Sequence, residues 1–500
     1  MTYPHSYSPR LPGRRALGRL AGLAGTAAAL ALLHSAPAAA ASLEEAVRAG
    51  MANPEVREAA ANRRAVAHDL REARALYYPT LDLRGDVGPE WFDTPTSTSD
   101  DHWLWRRSAS VLVRQRLFDG FGTENEVERQ RSRVSSAASR VIERAEFLAL
   151  DVVQAYLDVM RQIDLVGYAE DNVQAHTATL RDVQSRVRAG RSGVGDQRQA
   201  ESRLAQAQAD LVEAQRRLDD SRAAYVRLVG AEPADLSRPA VPGGTVAPTL
   251  EEALERARHR NPSVTVALRD IDTADAEVLV TEAPWWPRLD LEITGTQAHN
   301  IDGLQGDNDS FSALIVARWN LYAGGGDTAR RAGAIERAAE AREAMKRIAI
   351  QAYEETRRSW SAMVRQRQQV EVLRDRLRGA EGVLAAYRQQ FDVGQRDLLD
   401  VLDAQQDVFI ARTNLTTAEF SELFANYRLL AVTGDLLPAL KIEDPAEAEG
   451  GRAAQPAAMG MQSGDAGMGE GGEGGEGGGQ PAEPASPESG ASAPMSSAPM

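Results

Sequence analysis

Four stretches of the chain alternate apolar and polar residues one for one. Leu81, Leu83, Gly85 and Val87 alternate with Asp82, Arg84 and Asp86, and Val111, Val113, Gln115 and Leu117 with Leu112, Arg114 and Arg116. Farther on, Leu289, Leu291 and Ile293 alternate with Asp290, Glu292 and Thr294, while Phe311, Ala313, Ile315, Ala317 and Trp319 face away from Ser312, Arg318 and Asn320. A period of two predicts strands with one apolar and one polar face. Polar segments at Asp93 to His102 and Asn300 to Asp309 read as the hairpin loops between them. Elsewhere the pattern is helical. Ser42 with Glu45 has capping-box spacing, and a first helix is predicted from about Ser42 to Tyr77, ended by Pro79. Long helices are predicted over Thr123 to Ala189 and Asp327 to Val393, each about 100 Å at 1.5 Å per residue. Both stop at glycine and restart. In the first restart Leu204, Leu211, Leu218 and Tyr225 recur every seven residues beside Ala207 and Ala214, the pattern of an antiparallel coiled-coil hairpin.

These elements occur twice. Leu43-Glu44-Glu45-Ala46 followed by Asn53-Pro54 returns as Leu250-Glu251-Glu252-Ala253 followed by Asn261-Pro262. Tyr78-Pro79-Thr80-Leu81-Asp82-Leu83 matches Trp286-Pro287-Arg288-Leu289-Asp290-Leu291, and Leu117-Phe118-Asp119-Gly120-Phe121-Gly122 matches Leu321-Tyr322-Ala323-Gly324-Gly325-Gly326. Gly190 with Asp196 matches Gly394 with Asp400. The chain therefore divides into a first repeat over 42–230, a Pro- and Gly-rich linker over 231–249 and a second repeat over 250–440, each repeat being a helix, two strands and a long helical hairpin.

The two ends stand apart from this body. Arg10, Arg14, Arg15 and Arg19 precede an apolar run from Leu20 to Leu33 and then Ala36-Pro37-Ala38-Ala39-Ala40-Ala41, so residues 1–41 read as a secretory signal peptide rather than a spanning helix. The final segment, 441–500, is acidic and rich in Gly, Ala, Ser and Pro, with disorder expected from Glu443. No later run is apolar enough for a spanning helix, so any membrane passage must be made by strands.

Composition narrows the function. Aromatics are 5% of residues and cysteine is absent, which argues against a thick globular core, a disulfide framework, a thiolate metal site or a lipid-bearing Cys. Net charge is −15, and nucleic acid is not an expected partner. The histidines His5, His34, His68, His102, His176, His259 and His299 show no metal-ligand spacing, and Gly324-Gly325-Gly326 lacks the Lys-Ser or Lys-Thr of a phosphate loop. No cofactor, metal or catalytic residue is expected, and the chain does not read as an enzyme. Asp307-Asn308-Asp309 lacks calcium-loop spacing.

Trp91, Trp103, Trp105, Trp285, Trp286 and Trp319 lie in or beside the strands. Aromatic girdles at both ends of alternating strands suit a membrane β-barrel, although the core of a soluble β-domain would use the same residues. Four strands cannot close a barrel, so the barrel must be shared, and three protomers would supply twelve strands. The fold expected is mainly α, a long antiparallel coiled-coil α-barrel, with four strands per protomer of a shared 12-stranded trimeric membrane β-barrel.

Over essentially everything from Ser42 to Leu440 the chain resembles the TolC family of outer-membrane efflux and secretion proteins. The most specific stretch is Val393-Gly394-Gln395-Arg396-Asp397-Leu398-Leu399-Asp400-Val401-Leu402-Asp403-Ala404-Gln405, with Leu429-Leu430-Ala431-Val432-Thr433-Gly434 after it. Leu117-Phe118-Asp119-Gly120-Phe121 and Arg144-Ala145-Glu146-Phe147-Leu148-Ala149-Leu150-Asp151 look closer to the subgroup serving type I secretion. The resemblance implies a homotrimer in the outer membrane of a Gram-negative bacterium, with a long periplasmic extension. It would be a passive duct from periplasm to exterior in a tripartite type I secretion or efflux system, opened by a periplasmic adaptor and an inner-membrane transporter, ABC or other. The alternative is a soluble periplasmic coiled-coil adaptor, which would need the hairpins but not the strands.

The resemblance also assigns roles. Asp400 and Asp403 match entrance acids that a trimer would stack as two rings, although a helix N-terminus favours acids anyway. Arg396 and Asp196 match positions that hold the mouth shut, and Phe391 stands where the family has a tyrosine in that latch. Gly190 and Gly394 mark the turns at the periplasmic tips.

Overall fold

The computed structural model describes residues 42–93, 95, 103–241 and 244–452; the expected signal peptide lies outside them, as do most of the first hairpin loop and residues 453–500. Each repeat opens with two helices rather than one. Helices α1 (Leu43–Gly50) and α2 (Pro54–Ala75) are separated at Asn53, and α5 (Leu250–Arg260) and α6 (Pro262–Val280) at Asn261. This corrects the single helix expected from Ser42 to Tyr77. Proline at the first helical position has no N–H to complete the preceding helix, while the Asn53 and Asn261 side chains accept from Glu55 and Val264 N–H and cap the next one.

Strands β1 (Thr80–Trp91) and β2 (Trp103–Phe118) lead into the 67-residue helix α3 (Gly122–Arg188), which turns back as α4 (Val194–Val229). In the second repeat β3 (Arg288–Ile301) and β4 (Leu304–Arg318) lead into the 67-residue α7 (Gly326–Asp392) and then α8 (Leu398–Val432). Both helical hairpins are antiparallel, as the seven-residue pattern predicts: Ala200, Ala207, Leu218 and Tyr225 are buried along the α4 seam.

The four strands form one antiparallel sheet in the order β1-β2-β3-β4, so the two repeats are joined by β2 against β3. The β3-β4 hairpin turns at Asp302-Gly303, with Ile301 opposite Leu304. The loop expected over Asn300 to Asp309 is therefore mostly strand, because Asn300, Asp302 and Gly303 take positive φ and close the turn within a few residues.

The main core lies partway along α3, where α4 and α8 end beside α1. Leu43 and Val47 of α1, Val152 and Tyr156 of α3, Tyr225 of α4, Tyr427 of α8 and Leu436 and Leu437 of the short α9 (Leu436–Ala439) are buried together. The inter-repeat linker is pinned to this core: the Tyr156 hydroxyl donates to Ser237 O at 2.8 Å, and the Tyr427 hydroxyl to Ala240 O at 3.1 Å.

The chain does not leave the body at Glu443. Residues 443–452 cross back onto the first repeat, where Ala448 packs against Val141 and Ile142 of α3, Glu447 pairs with Arg64 of α2, and Ser139 Oγ donates to Gly451 O at 2.8 Å. Disorder was expected here because the segment is small and polar. Its fit depends on that smallness: a Cβ on Gly451 would lie 2.6 Å from the Ala138 carbonyl carbon.

Candidate functional site

The sheet separates its two faces by chemistry. Leu81, Leu83, Val87, Trp91, Trp103, Trp105, Val111, Phe311 and Ile315 lie on one face and are exposed, Leu83 at 77% and Phe311 at 77%. The strand register puts Leu83 opposite Val111 and Trp91 opposite Trp103, so this apolar face is continuous across strands. The opposite face carries ion pairs: Arg106 with Asp86 (2.7 Å) and Glu90 (2.8 Å), Arg114 with Glu292 (3.1 Å), and Arg318 with Asp290 and Glu292 (2.9 Å each). A large exposed apolar face backed by a charged one is the division between lipid and lumen in a membrane barrel. The predicted girdle falls at the two ends of the sheet. Trp91, Trp103 and Trp105 sit at the hairpin end, and Trp285, Trp286 and Trp319 at the helical end, where Trp319 Nε1 donates to Trp285 O at 3.2 Å.

Within one chain the outer edges of β1 and β4 have no strand partner among the described residues. Lipid offers no hydrogen bonds, so a sheet with this apolar face must close by pairing its edges with other protomers.

At the far end of the helices the two hairpin tips come together. Gly190 and Gly394 adopt φ of 75° and 76° and end α3 and α7 in matching turns, with Arg191 N bonding Arg186 O and Gln395 N bonding Gln390 O, both at 2.8 Å. Below the tips Val183, Ala200, Leu398 and Leu402 form an apolar cluster joining the two hairpins. Asp400 lies 3.3 Å from Arg396, whose guanidinium stacks 4.0 Å above the Tyr387 ring. Asp403 of α8 accepts from Arg203 of α4 at 2.6 Å. Asp400 and Asp403 thus each have an arginine partner.

Within one protomer the residues expected to form the latch have the following partners. Asp196 accepts from Gly193 N at 3.1 Å and caps its own helix, and among the described residues of one protomer no bond joins it to Arg396. Phe391, without a hydroxyl, is held through its ring and backbone: Arg186 stacks 4.3 Å from the ring, donates to Phe391 O at 3.3 Å and pairs with Asp392 at 2.9 Å. Arg186 and Arg203 are the residues that sequence reasoning missed. Each is one arginine among many on a polar helix: Arg186 also pairs with Asp182 of its own helix at 2.8 Å, and the partner in the other hairpin comes only from the crossing.

A third charged site was also missed. Glu146 of α3 is fully buried, accepts from Leu437 N at 3.3 Å and lies 3.4 Å from Arg452 of the returning C-terminal segment. Burial, opposed by Arg452 and the Leu437 amide, pushes its carboxyl up to about 7.

The model of the family described as outer membrane efflux protein matches residues 47–231 and 253–435, one match for each repeat. The chain is 26% identical to the outer membrane efflux protein BepC of Brucella suis over 328 residues, 65% of this chain and 72% of that protein. It is 24% identical to the outer membrane protein TolC of Vibrio cholerae over 398 residues, 77% of this chain and 88% of that one. Among solved structures, the outer-membrane channel OprN superposes with a TM-score of 0.69 at 19% identity, covering 79% of this chain and 90% of that one. The open-state MtrE outer membrane channel of Neisseria gonorrhoeae gives 0.65 at 18%, covering 79% and 89%. None of these is a soluble adaptor, and that alternative falls. With both repeats matched, four strands per chain and two free sheet edges, the chain belongs to the outer membrane efflux protein family, homotrimeric channels with a long periplasmic tunnel that work with an adaptor and an inner-membrane transporter.

Proposed function

We propose that the chain is a passive export duct whose resting closure is the periplasmic mouth at Asp400 and Asp403, and that it catalyses no reaction of its own. The observation that carries this reading is the pair of ion pairs at the mouth, Arg203 with Asp403 across the two hairpins and Arg396 with Asp400 beside them. Exposed pairs of this kind contribute about 0 to 1 kcal/mol each, a strength that an adaptor and transporter can overcome. Three protomers bring these acids into two rings, which favour cations in a narrow passage. Arg396, Asp196 and Phe391 take part at the tips, with Arg396 steadied on Tyr387 and Phe391 on Arg186. The system served is type I secretion or efflux, and energy comes from the transporter.

Planar-bilayer conductance of the purified mature trimer tests this. Small cation-selective currents that lose selectivity when Asp400→Asn and Asp403→Asn are combined support it. Selectivity unchanged in the double variant places the filter elsewhere and rejects the mouth.

A further inference from the structure

At the helical end of the sheet, where strands give way to α3 and α7, the lumen-side ion pairs change character. Near the hairpin end the groups are evenly matched, with Arg106, Asp86 and Glu90 all partly exposed. At the helical end each acid is less exposed than the arginines it holds. The side chains of Asp290, Glu292 and Asp119 are 2%, 17% and 16% exposed, whereas those of Arg114, Arg116, Arg288 and Arg318 are 41%, 32%, 42% and 46% exposed. The three carboxylates lie beneath four guanidinium groups and hold them in place. Asp290 Oδ2 accepts from both Arg288 Nε and Arg318 Nη1 at 2.9 Å, and Arg116 is fixed by Asp119 at 3.2 Å and Thr123 at 3.0 Å.

This arrangement leaves donors unused. Arg288 is bound through Nε, and the Arg116 Nε is buried with no hydrogen-bond partner. Arg116, Arg288 and Arg318, with Trp286, Trp319 and Asn320, line an open recess of about 630 Å³. Along β1, Asp82 and Arg84 lie on the same face and offset each other, and the ion-paired groups at this level are four arginines over three acids. Three protomers repeat it around the lumen.

We propose that this arginine collar at the junction of barrel and tunnel is an oxyanion-binding site, taking phosphate or carboxylate groups of the material that passes through. Guanidinium groups match such oxyanions with paired N–H donors, and here they are held in place beforehand by carboxylates, Asp290 among them buried, so little side-chain order is lost on binding. The collar rests on the export reading for its cargo. Anionic cargo that clears the mouth meets an attractive surface here before the exterior. Its arginines lie on the charged face of the sheet, which assigns it to solutes rather than lipid headgroups, while Trp286 and Trp319 of the girdle complete the recess.

The test is phosphorus-31 line broadening of inorganic phosphate by purified trimer in a phosphorus-free detergent. The native trimer should broaden the line, and the combined Arg116→Gln, Arg288→Gln and Arg318→Gln variant should not. Should that variant fail to assemble, Arg288→Lys with Arg318→Lys keeps Asp290 neutralised and should weaken binding about tenfold by loss of the paired donors. Arg106→Gln, at the other end of the sheet, should leave binding unchanged. No broadening by native trimer, or equal broadening by the triple variant, overturns the collar. Phospholipid that copurifies with the native trimer and not with the variant would overturn the solute assignment. A trimer that conducts in bilayers but ignores phosphate removes the collar alone and leaves the export duct standing.

Discussion

The Asn261 side-chain amide donates to the Val432 carbonyl at 2.8 Å, tying the break between α5 and α6 to the last turn of α8. Asn53 repeats the relationship in the first repeat, donating to Leu228 O at 3.2 Å at the end of α4. Each asparagine therefore does two things: its oxygen caps the helix that follows, and its amide satisfies one of the carbonyls that a helix end leaves unpaired. Asn261→Ala removes both bonds at a buried site and is expected to cost about 1 to 3 kcal/mol, read as a lower thermal midpoint of the trimer. Asn53→Ala, at a more exposed position, should cost less, and equal losses would contradict the burial difference.

The same asparagines show how far the sequence was legible. Asn-Pro marked the internal repeat, and the strand periods, the long helices and the glycine turns at Gly190 and Gly394 were all readable, because each is set by local spacing. The helix break at Asn53 was not, since the apolar periodicity continues through it. Gln305, Asp307 and Asp309 read as loop because they are polar, yet they extend β4, and Asp307 is held by His299 at 2.7 Å across the hairpin. The partners of Asp403 and Phe391 lie about two hundred positions away along the chain, and no local pattern points to them.

Glu146 gives stability a pH dependence of unusual sign. Its carboxyl sits at about 7 in the folded chain against an ordinary 4.5, so between these values the folded state holds a proton that the unfolded state has released. The contribution of this group is fully favourable below pH 4.5, declines as pH rises through the window and is lowest above 7. Glu146→Gln should flatten that slope and raise stability at pH 8 by about 1 to 3 kcal/mol. An unchanged profile of thermal midpoint against pH would show that the group ionises freely.

The stretch that follows α8 depends on glycine at two contacts. Gly434, at φ 72°, approaches Arg260 so closely that a Cβ would lie 2.1 Å from its carbonyl oxygen, and Gly451 rests on the Ala138 backbone. Gly451→Ala should release residues 443–452 from α3 while the trimer stays folded, seen as faster proteolysis at Arg452. Gly434→Ala should destabilise the whole junction by about 3 kcal/mol or more, since both backbone strain and a steric clash oppose it.

The two faces of β4 should respond oppositely to charge. Phe311 is 77% exposed on the lipid face midway along β4, whereas Ser312 faces the lumen. Phe311→Arg is expected to cost about 2 to 4 kcal/mol near the membrane midplane and to reduce the trimer recovered in the outer-membrane fraction. Ser312→Arg should assemble normally, and similar losses for both would reverse the assignment of faces.

The Arg203 to Asp403 pair can be separated from general destabilisation by exchanging its charges. Arg203→Asp alone sets two carboxylates facing each other between α4 and α8, and Asp403→Arg alone sets two arginines there. Either should part the tips and increase resting conductance. The combined exchange restores an ion pair of the same composition in the reverse order and should bring conductance back toward the native level, with a coupling of about 0 to 1 kcal/mol because both groups are partly exposed. High salt should mimic the single substitutions only weakly, since the apolar cluster of Val183, Ala200, Leu398 and Leu402 still joins the hairpins. If the exchange variant leaks as much as either single one, the contact is not what holds the mouth, and Arg186 on Phe391 becomes the closure to test.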